Sequence, residues 1–294
     1  MSVINVKEIS QRLKDQIKAE VASLIKEDRR VPHLSAIMVG DNPASKAYVG
    51  NKVKTCDEVG FLSTVHHLRE DTSYFELEQL ILQLNEDPSV DGFILQLPLP
   101  AHLDGQELLQ LISPDKDVDG FHPMNVGRMV LGLEGFLPAT PYGIMLLLEE
   151  LEVETQGKRC AILGRSDIVG TPMAILMSRK GKYQNSTVTL LHSRTKDLTS
   201  ELQRAEIIVA AIGIPDFVTG DMVRNGTVVI DVGINQIEDR SKKKGYRLTG
   251  DVDFASVSSK ASMITPVPGG VGLMTILGLM KNTLKAYHLR TTYE

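Results

Sequence analysis

The sequence predicts an α/β protein built as two domains, each around a parallel sheet. Two observations carry this. Strand and helix patterns alternate through residues 34–100, and after a proline-punctuated break the alternation restarts at residue 159. The length of 294 residues also agrees with two domains at roughly 150 residues each.

Residues 5–29 set Val6, Ile9, Leu13, Ile17 and Val21 at helical spacing and predict an amphipathic helix. LSAIMVG (34–40) reads as a short apolar strand, SKAYVGNKVKTCDEVG (45–60) as a helix and STVHHLR (63–69) as a more polar strand. An amphipathic helix over 74–86 and a strand over GFILQLPLP (92–100) complete a βαβαβ pattern. FLPATPYG (136–143), with two prolines and a glycine, punctuates the chain, and a helix over 141–151 bridges onward. RCAILG, TVTLLHS, IIVAAIG and TVVIDVG then read as four strands, nearly continuous in apolar residues, as a parallel sheet buried on both faces requires. A last helix is expected over about 274–288, after a Pro/Gly-rich loop.

Hydrophobic residues make up 42% and charged residues 23%, enough to build a packed core. A net charge of -5 disfavours a general nucleic-acid binder, which needs a basic face for phosphates. No apolar run approaches the roughly 20 residues of a membrane helix, and MSVINVKEISQRL lacks the apolar centre of a secretory signal. Cys56 and Cys160 have no metal-ligand spacing and read as packing residues in a reducing compartment, so the expected location is cytoplasmic, with no membrane and no metal.

CAILGRSDIVGTPMAIL places a glycine turn between a strand and a helix beginning near Ile168, which aims backbone N–H groups and a positive helix end at a phosphate. The spacing is Gly164-x-Ser166-x-x-x-Gly170, so Ser166 stands where the standard dinucleotide fingerprint has its second glycine. An NAD site ordinarily carries an acid at the end of the next strand. Here that strand ends in His192-Ser193-Arg194-Thr195, and Arg165 with Ser193 or Arg194 offers donors for a 2′-phosphate, favouring NADP.

In the first half, Ser45, Tyr48 and Lys52 share one helical stripe, beside an apolar stripe of Val49, Val53 and Cys56. Gln96 is a polar residue at the end of an apolar strand, where open α/β sheets bind ligands. DKDVDGFHP puts Asp117 and Asp119 in a loop. In ITPVPGGVGLMT, Pro268 is a candidate for a cis peptide, and Gly269, Gly270 and Gly272 permit close backbone approach.

Taken in order, YVGNKVKTCDEVG, QLPLP, KDVDGFHPMN, TPYG, GRSDIVGTP, TVTLLHSRT, VIDVGIN, GDVDF and TPVPGGVG resemble the bifunctional methylenetetrahydrofolate dehydrogenase/cyclohydrolase family nearly end to end. The resemblance implies a small α/β folate domain (1–139 plus 274–294), an NADP-binding Rossmann domain (140–273), a cleft between them and a homodimer. It implies that Lys52 is the catalytic lysine, Tyr48 the residue stacked on the folate, Gln96 its neighbour at the lysine and Asp119 the acid bonded to the pterin, with Pro268 and Gly269 also against substrate. Gly164, Arg165, Ser166, Ser193 and Ile234 correspond to the cofactor positions. Two positions depart from the family pattern: Ala139 replaces a cysteine, and Leu273 a proline, which predicts a less rigid start to the last helix.

The chemistry so implied is oxidation of 5,10-methylenetetrahydrofolate and hydrolysis of the methenyl product to 10-formyltetrahydrofolate, with the Lys52 amine accepting a proton from the attacking water. A shikimate- or amino-acid-dehydrogenase type would share the two-domain plan but has no need of Tyr48 or QLPLP. A non-enzymatic NADP sensor would keep GRS and have no use for Lys52, Gln96 and Asp119.

Overall fold

A computed structural model describes residues 2–242 and 245–291. In chain order the elements are β1 (Ser2–Val3), α1 (Val6–Lys26), β2 (His33–Val39), α2 (Pro43–Val59), β3 (Leu62–Leu68), α3 (Tyr74–Glu86), β4 (Gly92–Leu95), α4 (Gly105–Gln110), α5 (Pro123–Leu131) and α6 (Ala139–Glu150). There follow β5 (Arg159–Leu163), α7 (Gly170–Ser178), β6 (Thr187–Leu191), α8 (Leu198–Arg204), β7 (Ile207–Ala210), β8 (Val228–Asp231), β9 (Asn235–Glu238), β10 (Tyr246–Thr249), α9 (Phe254–Ser258), β11 (Met263–Ile264) and α10 (Val271–Thr291).

The chain divides into two compact units, Met1–Ser10 with Thr140–Thr275, and Gln11–Ala139 with Ile276–Glu294. The sequence reading put residues 1–10 with the second of these. They group with the first because β1 lies parallel to β11 and makes an edge of its sheet.

In the Gln11–Ala139 unit, three parallel strands run in the order β3-β2-β4. Ile37, Leu77, Ile81, Phe93, Leu95 and Leu108 fill one core beneath helices. α3 starts where expected because Ser73 and Glu76 form a reciprocal cap: the Ser73 hydroxyl accepts the Glu76 N–H at 3.2 Å, and the Glu76 carboxylate accepts the Ser73 N–H at 2.9 Å. The strand expected over 92–100 stops at Leu95, because Pro98 and Pro100 have no N–H to extend a ladder. Helices α4 and α5 arise in stretches to which the sequence pattern assigned no element; each is short and capped by a local side chain, Asp104 and His122.

The other unit has a six-stranded parallel sheet in the order β1-β11-β8-β7-β5-β6, with the β9–β10 hairpin apart. The four expected strands are contiguous in it, as β8-β7-β5-β6. The two additions, β1 and β11, are two residues long and too short to show a periodicity. β6 lies on one side of β5 and β7 on the other, so the winding reverses at β5, the position at which doubly wound sheets take their ligands.

The N-terminal stripe Val6, Ile9, Leu13, Ile17 and Val21 is buried throughout, as its spacing predicts. Both cysteines are buried, and burial pushes each thiol up to about 12, which suits packing rather than reactivity. Among the described residues no helix is long and apolar enough to cross a membrane.

In the Gln11–Ala139/Ile276–Glu294 unit, α10 is tied to the Asp119 loop by one side chain. Buried Asn282 donates from Nδ2 to the carbonyls of Val118 and Leu137, each at 2.8 Å. Asn282→Ala should leave both without that donor and lower stability by about 1–3 kcal/mol, read as a denaturant-midpoint shift. An unchanged midpoint would show that the tie is dispensable.

Candidate active site

Helix α2 is bounded by local chemistry on both sides. The Asn42 side chain accepts the N–H groups of Ala44 and Ser45, Pro43 begins the helix, and Gly60 ends it at φ 86°. This fixes which residues face inward: Ser45, Val49, Lys52 and Cys56 are buried and Tyr48 is half-buried. The Lys52 Nζ donates to Gln96 Oε1 at 3.1 Å, and Gln96 Nε2 donates to the Leu97 carbonyl at 2.7 Å, which locks the amide orientation. Among the described residues no other group bonds the Lys52 amine, and the buried Ser45 Oγ has no hydrogen-bond partner. A buried amine with one neutral partner, a turn away from a phenol, is a site able to handle a proton beside a flat ring.

Asp117 and Asp119 separate into different roles. Asp117 is buried and its carboxylate accepts the N–H groups of Phe121 (3.1 Å) and His122 (2.8 Å) and the Asn125 amide (2.9 Å). Burial pushes it up to about 6 against these hydrogen bonds, and it organises the loop. Asp119 is half-buried, and among the described residues nothing donates to its carboxylate. Phe93 bridges Asp117 in parallel register, so the chain carrying Asp119 leaves beside β4 in the direction that carries Gln96. Lys116, unremarked in the sequence, is wholly internal: its Nζ donates to the Leu84 and Asp87 carbonyls at 2.7 and 2.5 Å.

In the six-stranded unit the expected cofactor residues lie beyond the C-terminal ends of the strands. Gly164, at φ 117°, follows β5 and donates its N–H to Leu191, the last residue of β6. A Cβ there would strike the Ala211 carbonyl, and one at Gly170 would strike the Gly164 carbonyl, so both positions demand glycine. Helix α7 starts at Gly170, two residues later than expected. Ser166 explains the delay: its Oγ accepts the N–H groups of Val169 and Gly170 and its carbonyl that of Thr171. The first helical N–H groups are therefore spent inside the protein. Those of residues 165–168 have no acceptor among the described residues and are the donors that suit a phosphate. Arg165 and Ser193 are exposed on the adjacent ends of β5 and β6.

Ile234 lies past β8, two strands from β5, or roughly 10 Å at the usual strand spacing. Pro268 and Gly269 line a cavity of about 60 Å³ with Asp231, Gly233 and Ile234. The Val267–Pro268 bond is cis, as is Leu97–Pro98. Leu273, expected to loosen the start of α10, is its third residue and donates its N–H to the Gly270 carbonyl at 3.0 Å, a bond that proline cannot make. These strand ends thus display phosphate donors at the centre and an apolar, glycine-lined cavity to one side.

Two buried acids below this edge had no signal in the sequence beyond their strings VIDVG and GDVDF. Asp231 accepts the N–H groups of Gly233, Asp251 and Val252 at 2.9–3.1 Å. Asp251 accepts those of Ile212 and Gly213 and the Asn235 amide at 2.7–2.9 Å.

The fold and the two sets of residues define an α/β enzyme with a dinucleotide-binding parallel sheet and a second parallel α/β unit carrying a lysine–glutamine pair. Residues 138–291 match the family profile described as tetrahydrofolate dehydrogenase/cyclohydrolase, NAD(P)-binding domain, and residues 4–119 its catalytic domain. The chain belongs to this tetrahydrofolate dehydrogenase/cyclohydrolase family. It is 56% identical over 291 residues to the bifunctional protein FolD of Flavobacterium johnsoniae, covering 99% of each chain. Among solved structures, the bifunctional FolD of Campylobacter jejuni superposes with a TM-score of 0.92 at 45% identity, covering 99% of each chain. The Trypanosoma brucei dehydrogenase–cyclohydrolase, complexed with NADP cofactor and inhibitor, gives 0.93 at 36% identity, covering 100% of this chain and 99% of its own.

Burial, with the charge of Asp251 adding to it, raises the Asp231 carboxyl to about 7, well above the roughly 3.9 of an unfolded aspartate. The folded state therefore keeps a proton that the unfolded chain has released. Its contribution is fully present below the unfolded value and is lost as pH rises through about 7. From pH 5 to 8 the parent should lose on the order of 2 kcal/mol relative to Asp231→Asn. Urea midpoints of both proteins across that range test it, and a pH-independent difference would refute the assignment.

Proposed function

We propose that this chain oxidises 5,10-methylenetetrahydrofolate with NADP and hydrolyses the methenyl product to 10-formyltetrahydrofolate, using Lys52, Tyr48, Gln96 and Asp119 as its folate machinery. The observation that carries the residue assignment is the 3.1 Å hydrogen bond from Lys52 Nζ to Gln96 Oε1, one helical turn from Tyr48. The match of both family domains and the 56% identity to a bifunctional FolD support the pair of reactions.

The residues of the Gly164 turn fit a dinucleotide: a run of N–H groups without acceptors, an exposed arginine, and glycines where a Cβ would collide. Gly164, Arg165 and Ser166 would hold the phosphates, Ser193 with Arg165 the 2′-phosphate and Ile234 the ring side. Bound NADP supplies the hydride acceptor, so the protein's task is orientation. Tyr48 offers its ring as a platform for the pterin, and the free carboxylate of Asp119 suits the donor edge of that ring. Gln96, locked by its own bond to Leu97, holds the Lys52 amine in place. In the hydrolytic step water adds to the methenyl carbon and one of its protons passes to Lys52 Nζ; the bond from that carbon to N5 then breaks as the added hydroxyl becomes the formyl carbonyl on N10 and its remaining proton passes to N5. Pro268 and Gly269 contribute a stiff, close-approaching backbone to the substrate. The working unit is a homodimer in the cytoplasm, on the strength of the family resemblance.

Losing a charged phosphate contact costs about 1.5–3 kcal/mol. Arg165→Ala should raise the KM for NADP at least several-fold and leave that for NAD nearly unchanged; equal effects would remove the basis for NADP preference. Lys52→Met keeps much of the side-chain volume without the amine. Hydrolysis of methenyltetrahydrofolate should fall by at least about a hundredfold and dehydrogenation by less, with methenyl-folate accumulating during turnover. Hydrolysis at the parental rate would rule out Lys52 as the proton acceptor.

A further inference from the structure

The string GDVDF has no part in the chemistry above, yet its first acid is among the most enclosed groups of the nucleotide-binding unit. Asp251 is fully buried, and no cation faces it among the described residues. Its Oδ2 accepts the N–H groups of Ile212 at 2.7 Å and Gly213 at 2.9 Å, the two residues after the turn that leaves β7. Its Oδ1 accepts Asn235 Nδ2 at 2.9 Å, and Asn235 directly follows Ile234. One carboxylate therefore ties the loop beyond β7 to the loop beyond β8. The chain then reaches the phosphate turn without a gap: Ala211 donates its N–H to Leu163 at 2.7 Å, and its carbonyl is the atom that a Cβ on Gly164 would strike. Gly213, at φ 69°, has no atom within 4 Å of where a Cβ would stand, so this tethered turn presents open backbone beside the phosphate donors.

We propose that Asp251 is the positioning residue of the nucleotide site, holding the Ile212–Gly213 turn and the Ile234 side in register with the Gly164 turn so that NADP meets a preformed surface. The inference rests on placing NADP at that turn. All three groups facing the carboxylate are donors, so a carboxylate satisfies them together. An asparagine can do so only if Asn235 turns its own oxygen inward and gives up its 3.2 Å bond to the Gly250 carbonyl.

The test compares Asp251→Ala and Asp251→Asn in the full chain by titration calorimetry with NADP, steady-state kinetics and amide exchange of residues 211–217 in cofactor-free protein. Expected for Asp251→Ala are an NADP Kd and KM at least tenfold higher, a kcat at saturating NADP within threefold of the parent, and exchange of that segment at least tenfold faster. The Asn variant should recover most of the affinity. NADP binding within twofold of the parent overturns the proposal, as does a kcat that falls in step with affinity or a parallel fall in methenyl-folate hydrolysis without nucleotide. If Asp251→Ala does not stay folded at the assay temperature, Gly213→Ala takes its place under the same thresholds, because it strains the same turn without a steric clash. A parent that fails to bind NADP strikes at the cofactor assignment instead, while the exchange rates, which need no cofactor, still judge Asp251.

Discussion

Parallel strands deliver their loops to one edge of a sheet, and each backbone N–H in those loops must find an acceptor once the edge is built over. In this protein the acceptors are buried carboxylates. Asp117 serves the loop between α4 and α5 by taking two N–H groups and an amide. Asp231 and Asp251 serve the loops after β7, β8 and β10 by taking five N–H groups and an amide between them. None of these three is neutralised by a cation among the described residues, so burial pushes Asp117 to about 6 and Asp231 to about 7. The N–H groups that converge on Asp117 and Asp231 offset part of that cost and leave burial the larger effect. The arrangement that shapes both sites thus also makes their loops sensitive to pH.

The buried lysines show a similar separation between scaffold and chemistry. Lys116 gives its amine to two carbonyls near the end of α3, and burial lowers it to about 8. With its donors engaged by main chain, it is a structural cap. Lys52 has a single neutral partner in Gln96 and stands on a helix whose limits are set by Asn42, Pro43 and Gly60. The same contrast divides Asp117, fully engaged, from Asp119, whose carboxylate has no donor among the described residues. Residues whose hydrogen-bonding capacity is left over are those available to a ligand.

Ser166 illustrates how a local substitution redistributes the same resources. In the common fingerprint a glycine brings backbone against pyrophosphate. Here the serine side chain occupies the first N–H groups of α7, and the donors shift to the turn before it. The N–H groups left without an acceptor thus lie in the turn and not in the helix.

Much of this was legible in the order of residues. Hydrophobic spacing located α1 and α3, apolar runs located β5, β6, β7 and β8, and the stripe Ser45–Tyr48–Lys52 with Gln96 singled out a lysine and glutamine that the fold brings into a hydrogen bond. These are properties of period and local turn chemistry, which neighbouring residues determine by themselves. Tertiary structure alone decided the rest. The short strands β1 and β11 exist only because distant segments pair. The difference between Asp117 and Asp119, or between Lys116 and Lys52, lies in how many donors or acceptors the folded chain brings to each. Sequence determines which groups are present and on which face they stand; only the closed fold decides which of them are already satisfied.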